Sequence, residues 1–407
     1  MNEVLSRADD PRWADIDMFD RSLALRNNPY PFLNRLREEH PVHKGPTGDY
    51  FLFRYADVVR LLRDTKVGVR TTDGKLPHVD ETVWPRRFML QQDPPNHGRL
   101  RRLVSKGFTP PAIERMRGEV SALVDQLLDR VSGNASFDLI ADLARPLPST
   151  VICQMLGVPL ADRDLFIDWT AHVTHQLAPR GGTSQQVLER AFEAGLKLQD
   201  YFTQLIRERK QKLGNDLLST LIRAEEAGDR LSPEELIVQA VGLLVAGFET
   251  TIGLIGNGVR QLLLHPTELA KLRERPELIG SAVEECLRFD GPIQGTRRVL
   301  HEDAQFGLDV IPIDTCVFVS ISAAHRDPRV FSEPDAFRIE RDHSAHLAFG
   351  GGPHFCLGAH LARLEAQIAI GSLFRRFPQL ALETDEIRWG DSLFRVQASL
   401  PLRTKSV

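Results

Sequence analysis

The sequence predicts a mainly α-helical single domain, residues 1–407, with small β-sheets beside the helical body. Three observations carry that prediction. The first is a capped, largely apolar helical pattern from Ser232-Pro233-Glu234-Glu235 to His265-Pro266. Ser232 is suited to an N-cap, Pro233 to the first helical position, and Glu235 completes a capping box. At 1.5 Å per residue this helix is roughly 45–50 Å long, enough to cross a domain. Being apolar on most faces from Val241 to Phe248, it belongs in a core. The second is Thr109-Pro110 followed by Ile113, Met116, Val120, Leu123, Leu127 and Val131, whose intervals of three and four predict one amphipathic helix ending near Gly133. The third is that strand signals are short and clustered. Tyr50-Phe51-Leu52-Phe53 is one, and Thr315 to Ser322, alternating around Val317, Val319 and Ile321 after Pro312 and Asp314, is another. No repeat, low-complexity stretch or Pro/Ser-rich linker divides the chain, so one domain is expected. Pro179 to Ser184 is expected to form a surface loop between two helical patterns.

Composition narrows the function. Lys plus Arg is 51 against Asp plus Glu 55, and a net charge of -4 supplies no basic field for nucleic acid. Met1 to Trp13 places Glu3, Arg7, Asp9 and Asp10 where an export signal needs an apolar stretch. The longest apolar run, Leu236 to Phe248, is interrupted by Gln239 and falls short of the ~20 residues that span a bilayer. A cytoplasmic chain without membrane association is expected. Cys153, Cys286, Cys316 and Cys356 include no close pair, which argues against a disulfide framework and against a four-thiolate zinc site.

The segment richest in chemistry is Phe349-Gly350-Gly351-Gly352-Pro353-His354-Phe355-Cys356-Leu357-Gly358, which leads into a helical run from Ala359 to Leu373. A cysteine where a glycine-rich loop enters a helix is biased towards thiolate by the helix N–H groups. A thiolate so held can be the axial ligand of a haem iron. Other readings stand beside it. A buried cysteine is commonly a small hydrophobe, a glycine run is commonly a turn, and His343, His346, His354 and Cys356 offer zinc donors at no standard spacing.

The string resembles the haem-ligand loop of the cytochromes P450, whose pattern is F-x-x-G-x-x-x-C-x-G, with Phe349, Gly352, Cys356 and Gly358 at its fixed positions. The resemblance implies that Cys356 is the thiolate ligand of haem b (iron protoporphyrin IX), with Phe349 and Gly358 against the cofactor. Further segments resemble the family in the right order, from Asn28-Pro29-Tyr30 to the C-terminal strands. Glu285-Cys286-Leu287-Arg288 is an E-x-x-R that, on any surface helix, contributes a few tenths of a kcal/mol. In the family the pair is buried and bonds to the segment before the cysteine loop. That segment corresponds to His325-Arg326-Asp327-Pro328 through Arg341, with His325 where relatives often have Asn and Arg341 as the candidate third partner. In Ala246-Gly247-Phe248-Glu249-Thr250-Thr251, Thr250 is placed to bond back to the Ala246 carbonyl and bend the helix. By resemblance Ala246 lies at the haem, and Glu249 and Thr250 relay protons to oxygen. His97 and Arg101, at i and i+4 on one helical face, resemble a pair that converges on a haem propionate. Arg298, with Arg297 as the adjacent alternative, and His354 match further propionate contacts.

The resemblance implies a triangular single domain with a long central helix over the haem. It also implies monooxygenation, in which one atom of O2 enters a mainly apolar small organic substrate. Electrons would come from an iron–sulfur ferredoxin with an NAD(P)H-dependent reductase, received on a basic surface including Arg101, Arg102, Lys106 and Arg363. A monomer is expected. Substrate-facing segments are expected at Val67–Gln92, Trp169–Arg180, Leu243–Gly247, Pro292–Thr296 and Leu393-Phe394. A peroxide-driven peroxygenase, a haem sensor or electron carrier, and a haem-less recruitment domain are the alternatives.

Overall fold

The computed structural model describes residues 26–45, 47–77, 88–174, 185–226, 228–342, 344–390 and 392–404. Met1 to Trp13, the loop expected at Pro179 to Ser184, and His343 lie outside them, as do parts of the pocket segments Val67–Gln92 and Trp169–Arg180. The described chain opens with α1 (Tyr30–Glu39), β1 (Val42–Lys44), β2 (Tyr50–Leu52), α2 (Tyr55–Arg63) and β3 (Val67–Gly68). Helices then dominate: α3 (Asn96–Ser105), α4 (Pro110–Glu114), α5 (Arg117–Val131) and, beyond β4 (Ser136–Asp138), α6 (Pro146–Leu156), α7 (Arg163–Val173), α8 (Gln185–Gln211) and α9 (Leu217–Arg223). A hairpin of β5 (Glu225–Glu226) and β6 (Asp229–Arg230) precedes α10 (Pro233–Leu264), α11 (Pro266–Glu274) and α12 (Ile279–Asp290). The C-terminal third holds β7 (Gly295–Leu300), β8 (Ala304–Phe306), β9 (Asp309–Ile311), β10 (Cys316–Ser320), α13 (Ile321–Ala324), α14 (Ala359–Arg376), β11 (Ala381–Leu382), β12 (Arg388–Trp389), β13 (Gln397–Ser399) and β14 (Pro401–Arg403).

The long helix begins as its sequence dictates. The Glu235 N–H donates to Ser232 Oγ at 3.2 Å, and the Ser232 N–H donates to Glu235 Oε2 at 2.8 Å, closing the capping box. Being apolar on nearly all sides, α10 packs against α6, α8, α12 and α14. Its length and hydropathy alone would suffice to cross a membrane, but 78% of its most apolar window is buried in the protein, so it is the core helix. Even Gln239, the polar break in the apolar run, is buried, and its Oε1 accepts the Met89 N–H at 3.2 Å. The main core gathers residues from Phe88 to Leu402 around this helix. Two smaller clusters lie at the largest sheet, a five-stranded one in the order β1-β2-β10-β7-β3.

Two local expectations are corrected. The helix predicted from Thr109 to Gly133 is broken into α4 and α5, and Thr109 makes no side-chain cap bond. A tight turn in which the Met116 N–H bonds the Ile113 carbonyl separates them, and it preserves the apolar spacing that hid the break. The strand expected to reach Ser322 stops at Ser320, whose Oγ accepts the Ala323 N–H at 3.2 Å and so caps α13.

Candidate active site

The cysteine loop is shaped by backbone bonds. The Gly350 N–H reaches the Leu347 carbonyl at 2.8 Å, Phe355 reaches Gly352 at 3.1 Å, and the Cys356 N–H reaches the Phe349 carbonyl at 2.9 Å. Gly352 has φ 63° and lies against the end of α2, where a Cβ would stand 2.3 Å from the Leu62 carbonyl oxygen. Only glycine fits that position. Cys153, Cys286 and Cys316 are buried and Cys356 is exposed. Burial pushes the Cys153 and Cys316 thiols up to about 12. For Cys356 the surrounding loop also pushes the thiol up, but the Gly358 N–H, Arg101 and Arg363 pull it back towards thiolate.

Beside this sulfur lies a basic cluster. His97, buried on α3, and His354 have ring centroids 4.1 Å apart. One turn along α3, Arg101 Nη2 donates to the Phe355 carbonyl at 2.6 Å. Arg298 on β7 is 6% exposed, and among the described residues no carboxylate lies within ion-pair distance of it. Burial pushes its guanidinium down to about 10 despite the more distant Asp93. Burial, then the positive charges of Arg298, His97 and Arg101, push His354 down to about 3. Strand alternation separates the two candidate arginines: Arg298 stands opposite Val317 and Arg297 opposite Phe318. Arg298 acts on His97 and His354, whereas Arg297 acts with Cys316 and Asp49 on the other side.

On the long helix, Ala246 is exposed although its neighbours along α10 from Leu236 to Val245 are mostly buried. The Thr250 hydroxyl donates to the Ala246 carbonyl at 2.9 Å, the expected back-bond, and α10 continues through it as one helix. Glu249 turns elsewhere. It is buried, and its Oε2 accepts the Ser392 hydroxyl at 2.6 Å. The structure therefore does not bring Glu249 and Thr250 to a shared partner, because adjacent helical residues diverge by about 100°. No signal in the sequence points to Ser392, 143 residues away.

Behind the cysteine loop, Glu285 and Arg288 on α12 are fully buried and doubly bonded, Nε to Oε2 at 2.7 Å and Nη2 to Oε1 at 2.8 Å. The remaining N–H groups of Arg288 donate to the carbonyls of His325 and Pro334, both at 2.9 Å, and of Ala336 at 3.1 Å. Glu285 Oε1 also accepts the Arg338 N–H at 2.7 Å and Arg341 Nε at 3.5 Å, so Arg341 is a further partner of the pair. His325 Nε2 accepts the Leu347 N–H at 2.7 Å, which leaves Nδ1 to donate to the Arg288 carbonyl at 3.0 Å. Burial holds His325 neutral, far below its ordinary range. The histidine thus joins α12 to the start of the cysteine loop.

Two readings are corrected. Arg363 is not a free member of the basic surface: its Nε and Nη2 donate to Glu284 at 2.7 and 2.8 Å, and its guanidinium lies 4.4 Å over the Phe349 ring. The zinc alternative finds no support among the described residues. His346 is bonded to Glu284 at 2.6 Å and accepts the Ala348 N–H, and no three-residue metal cluster exists among the described residues. A haem fits what is present: an accessible sulfur on a backbone N–H, four basic side chains gathered with no carboxylate in ion-pair contact with Arg298 among the described residues, and a helix face exposed at Ala246.

The cytochrome P450 family model matches residues 21–393. The chain is 41% identical to Cytochrome P450 107B1 of Saccharopolyspora erythraea, over 96% of this chain and 98% of that protein. It is 39% identical to Vitamin D(3) 25-hydroxylase of Pseudonocardia autotrophica, over 92% of this chain and 93% of that one. Among solved structures, P450BioI in complex with acyl carrier protein carrying hexadec-9Z-enoic acid superposes with a TM-score of 0.88 at 38% identity, covering 94% of this chain and 100% of that one. Likeness of this extent, over almost the whole length, makes the chain a member of the cytochrome P450 family and a haem-thiolate monooxygenase.

Proposed function

We propose that residues 1–407 form one cytoplasmic, monomeric domain that holds haem b and oxidises a mainly apolar small organic molecule with electrons from an iron–sulfur ferredoxin and its NAD(P)H-dependent reductase. The observation that carries this is the accessible Cys356 sulfur next to a buried basic cluster whose Arg298 has no ion-paired carboxylate among the described residues. Cys356 ligates the iron, its charge supported by the Gly358 N–H and by Arg101. His97, Arg101, Arg298 and His354 bind the two propionates, and Phe349, Gly358 and Ala246 pack against the ring. When bound, the haem supplies O2 binding and oxygen transfer, with the thiolate pushing electron density towards O–O cleavage.

The protein then controls protons and water. Thr250 spends its hydroxyl hydrogen on the Ala246 carbonyl, so its lone pairs remain free to accept a hydrogen bond on the cavity side. Glu249 is the acid that resupplies protons. Leu243–Gly247, Pro292–Thr296 and Leu393-Phe394 contribute an apolar wall that keeps water out and orients an apolar substrate. The acyl chain of one relative's complex and the vitamin D(3) of another's name are both apolar, in keeping with this class. A recess of about 720 Å³ beside His97, Arg101, Arg102, Lys106 and Pro353 offers an acidic ferredoxin a basic docking face.

The test is reconstitution with ferredoxin, reductase and NADPH against a panel of fatty acids, steroids and macrolides. Oxygenated product that depends on the ferredoxin is expected, and product formed with hydrogen peroxide alone would favour the peroxygenase alternative. Thr250→Ala should still consume NADPH while product per NADPH falls about tenfold or more and hydrogen peroxide rises. Unchanged coupling in a folded Thr250→Ala protein removes Thr250 from the proton path.

A further inference from the structure

Glu249, Gly253, Asn257 and Gln261 recur every four residues along α10 and therefore share one face. The C-terminal segment runs down that face and is fastened at each step. At Gly253 the backbone approaches so closely that a Cβ would stand 2.7 Å from the Pro292 side chain and 3.1 Å from the Arg395 carbonyl oxygen. Asn257 Nδ2 donates to the carbonyls of Arg395 at 2.9 Å and Asp290 at 3.0 Å, and Gln397 Nε2 donates to Asn257 Oδ1 at 3.1 Å. Gln261 Nε2 donates to Asp290 Oδ2 at 2.8 Å, while Arg395 Nε donates to Asp290 Oδ1 at 2.6 Å. The last step of this zipper is Ser392 on Glu249, with both residues buried.

We propose that Ser392 is a positioning residue for Glu249, fixing the direction of its carboxylate and tying it to the Leu393-Phe394 turn. The inference rests on Glu249 being the proton-supplying acid. A serine hydroxyl has one hydrogen. The Phe394 N–H donates to Ser392 Oγ at 3.1 Å, which orients the oxygen, and the hydrogen is directed to Glu249 Oε2. At 2.6 Å that bond lies in the range of charge-assisted O–H···O⁻ bonds. Thr250, one residue on, is half-buried with its hydrogen committed to Ala246. The acid and the alcohol are thus held by different partners, and the acid's position depends on the turn that carries an exposed Leu393 and a half-buried Phe394. Displacing that turn moves Ser392 with it.

The test uses the haem-loaded protein with Ser392→Ala, Ser392→Thr and Glu249→Gln. The infrared difference between parent and Glu249→Gln isolates the Glu249 carboxylate stretch. Ser392→Ala should shift that band, and Ser392→Thr, which keeps the hydroxyl, should restore it. Product formation should fall about tenfold in Ser392→Ala, the worth of one charge-assisted hydrogen bond, with NADPH consumption continuing and the carbon monoxide spectrum unchanged; the threonine should recover most of it. If Glu249→Gln uncouples the enzyme but Ser392→Ala leaves both band and product yield as in the parent, Ser392 positions nothing. If Glu249→Gln itself leaves coupling unchanged, the role given to Glu249 fails and the inference falls with it.

Discussion

Glu285→Ala is the perturbation whose cost the structure defines best. Arg288 and Glu285 are both inaccessible to solvent, and every N–H of the guanidinium has an acceptor. Removing the carboxylate leaves a buried cation with three carbonyls and no counter-charge, a loss of roughly 3–5 kcal/mol. The Arg338 N–H loses its acceptor as well, which adds about 1 kcal/mol or more. The sum approaches the whole stability of many domains, roughly 5–15 kcal/mol. Arg288→Lys keeps the charge, but one ammonium cannot replace a fork that reaches two carboxylate oxygens and three carbonyls, so a loss of about 2–3 kcal/mol is expected. Urea unfolding followed by circular dichroism, together with the fraction of protein that takes up haem, measures both. Because the His325 ring bonds Arg288 to the cysteine loop, haem uptake should fall in step with stability. A folded Glu285→Ala protein within about 1 kcal/mol of the parent, the worth of an exposed helix pair, refutes this reasoning.

Two further outcomes follow from buried charge. Arg298→Ala should release haem to a haem-scavenging apoprotein about tenfold faster than the parent, whereas Arg297→Ala, on the opposite side of β7, should change release little; equal effects would contradict the alternation. Glu365 on α14 is buried with its Oε2 unpartnered among the described residues, and burial pushes its carboxyl from 4.5 up to about 8. The folded protein therefore keeps a proton that the unfolded chain releases near pH 4.5, so this stabilising contribution is whole below that pH and is lost as pH rises to about 8. Relative to Glu365→Gln, the parent should lose up to about 1.4 kcal/mol per pH unit across that window, and parallel curves for the two proteins would show that Glu365 is not held protonated.

The parts of this molecule that were legible in its sequence are those decided locally. The capping box at Ser232, the apolar pattern of α10 and the Thr250 back-bond each depend on residues within four positions of one another, and each is present. The cysteine loop was legible because its glycines and proline constrain the backbone itself. What escaped the sequence depends on long-range contact or on turns that conserve periodicity. The break between α4 and α5 keeps its apolar residues three and four apart, so spacing carried no trace of it. Arg363 reads as surface charge in the sequence because its neutralising partner, Glu284, lies 79 residues away. The choice between Arg297 and Arg298 required the strand register, and the bond between Ser392 and Glu249 required the whole fold.

The central claim is that Cys356 is the thiolate ligand of a haem iron, and the carbon monoxide difference spectrum of the reduced protein tests it most directly. The parent should show the red-shifted band of a thiolate-ligated haem, and Cys356→Ala should lose it while Cys153→Ala and Cys316→Ala keep it. A Cys356→Ala protein that retains the same band, or a parent that binds haem without ever showing it, would contradict the assignment.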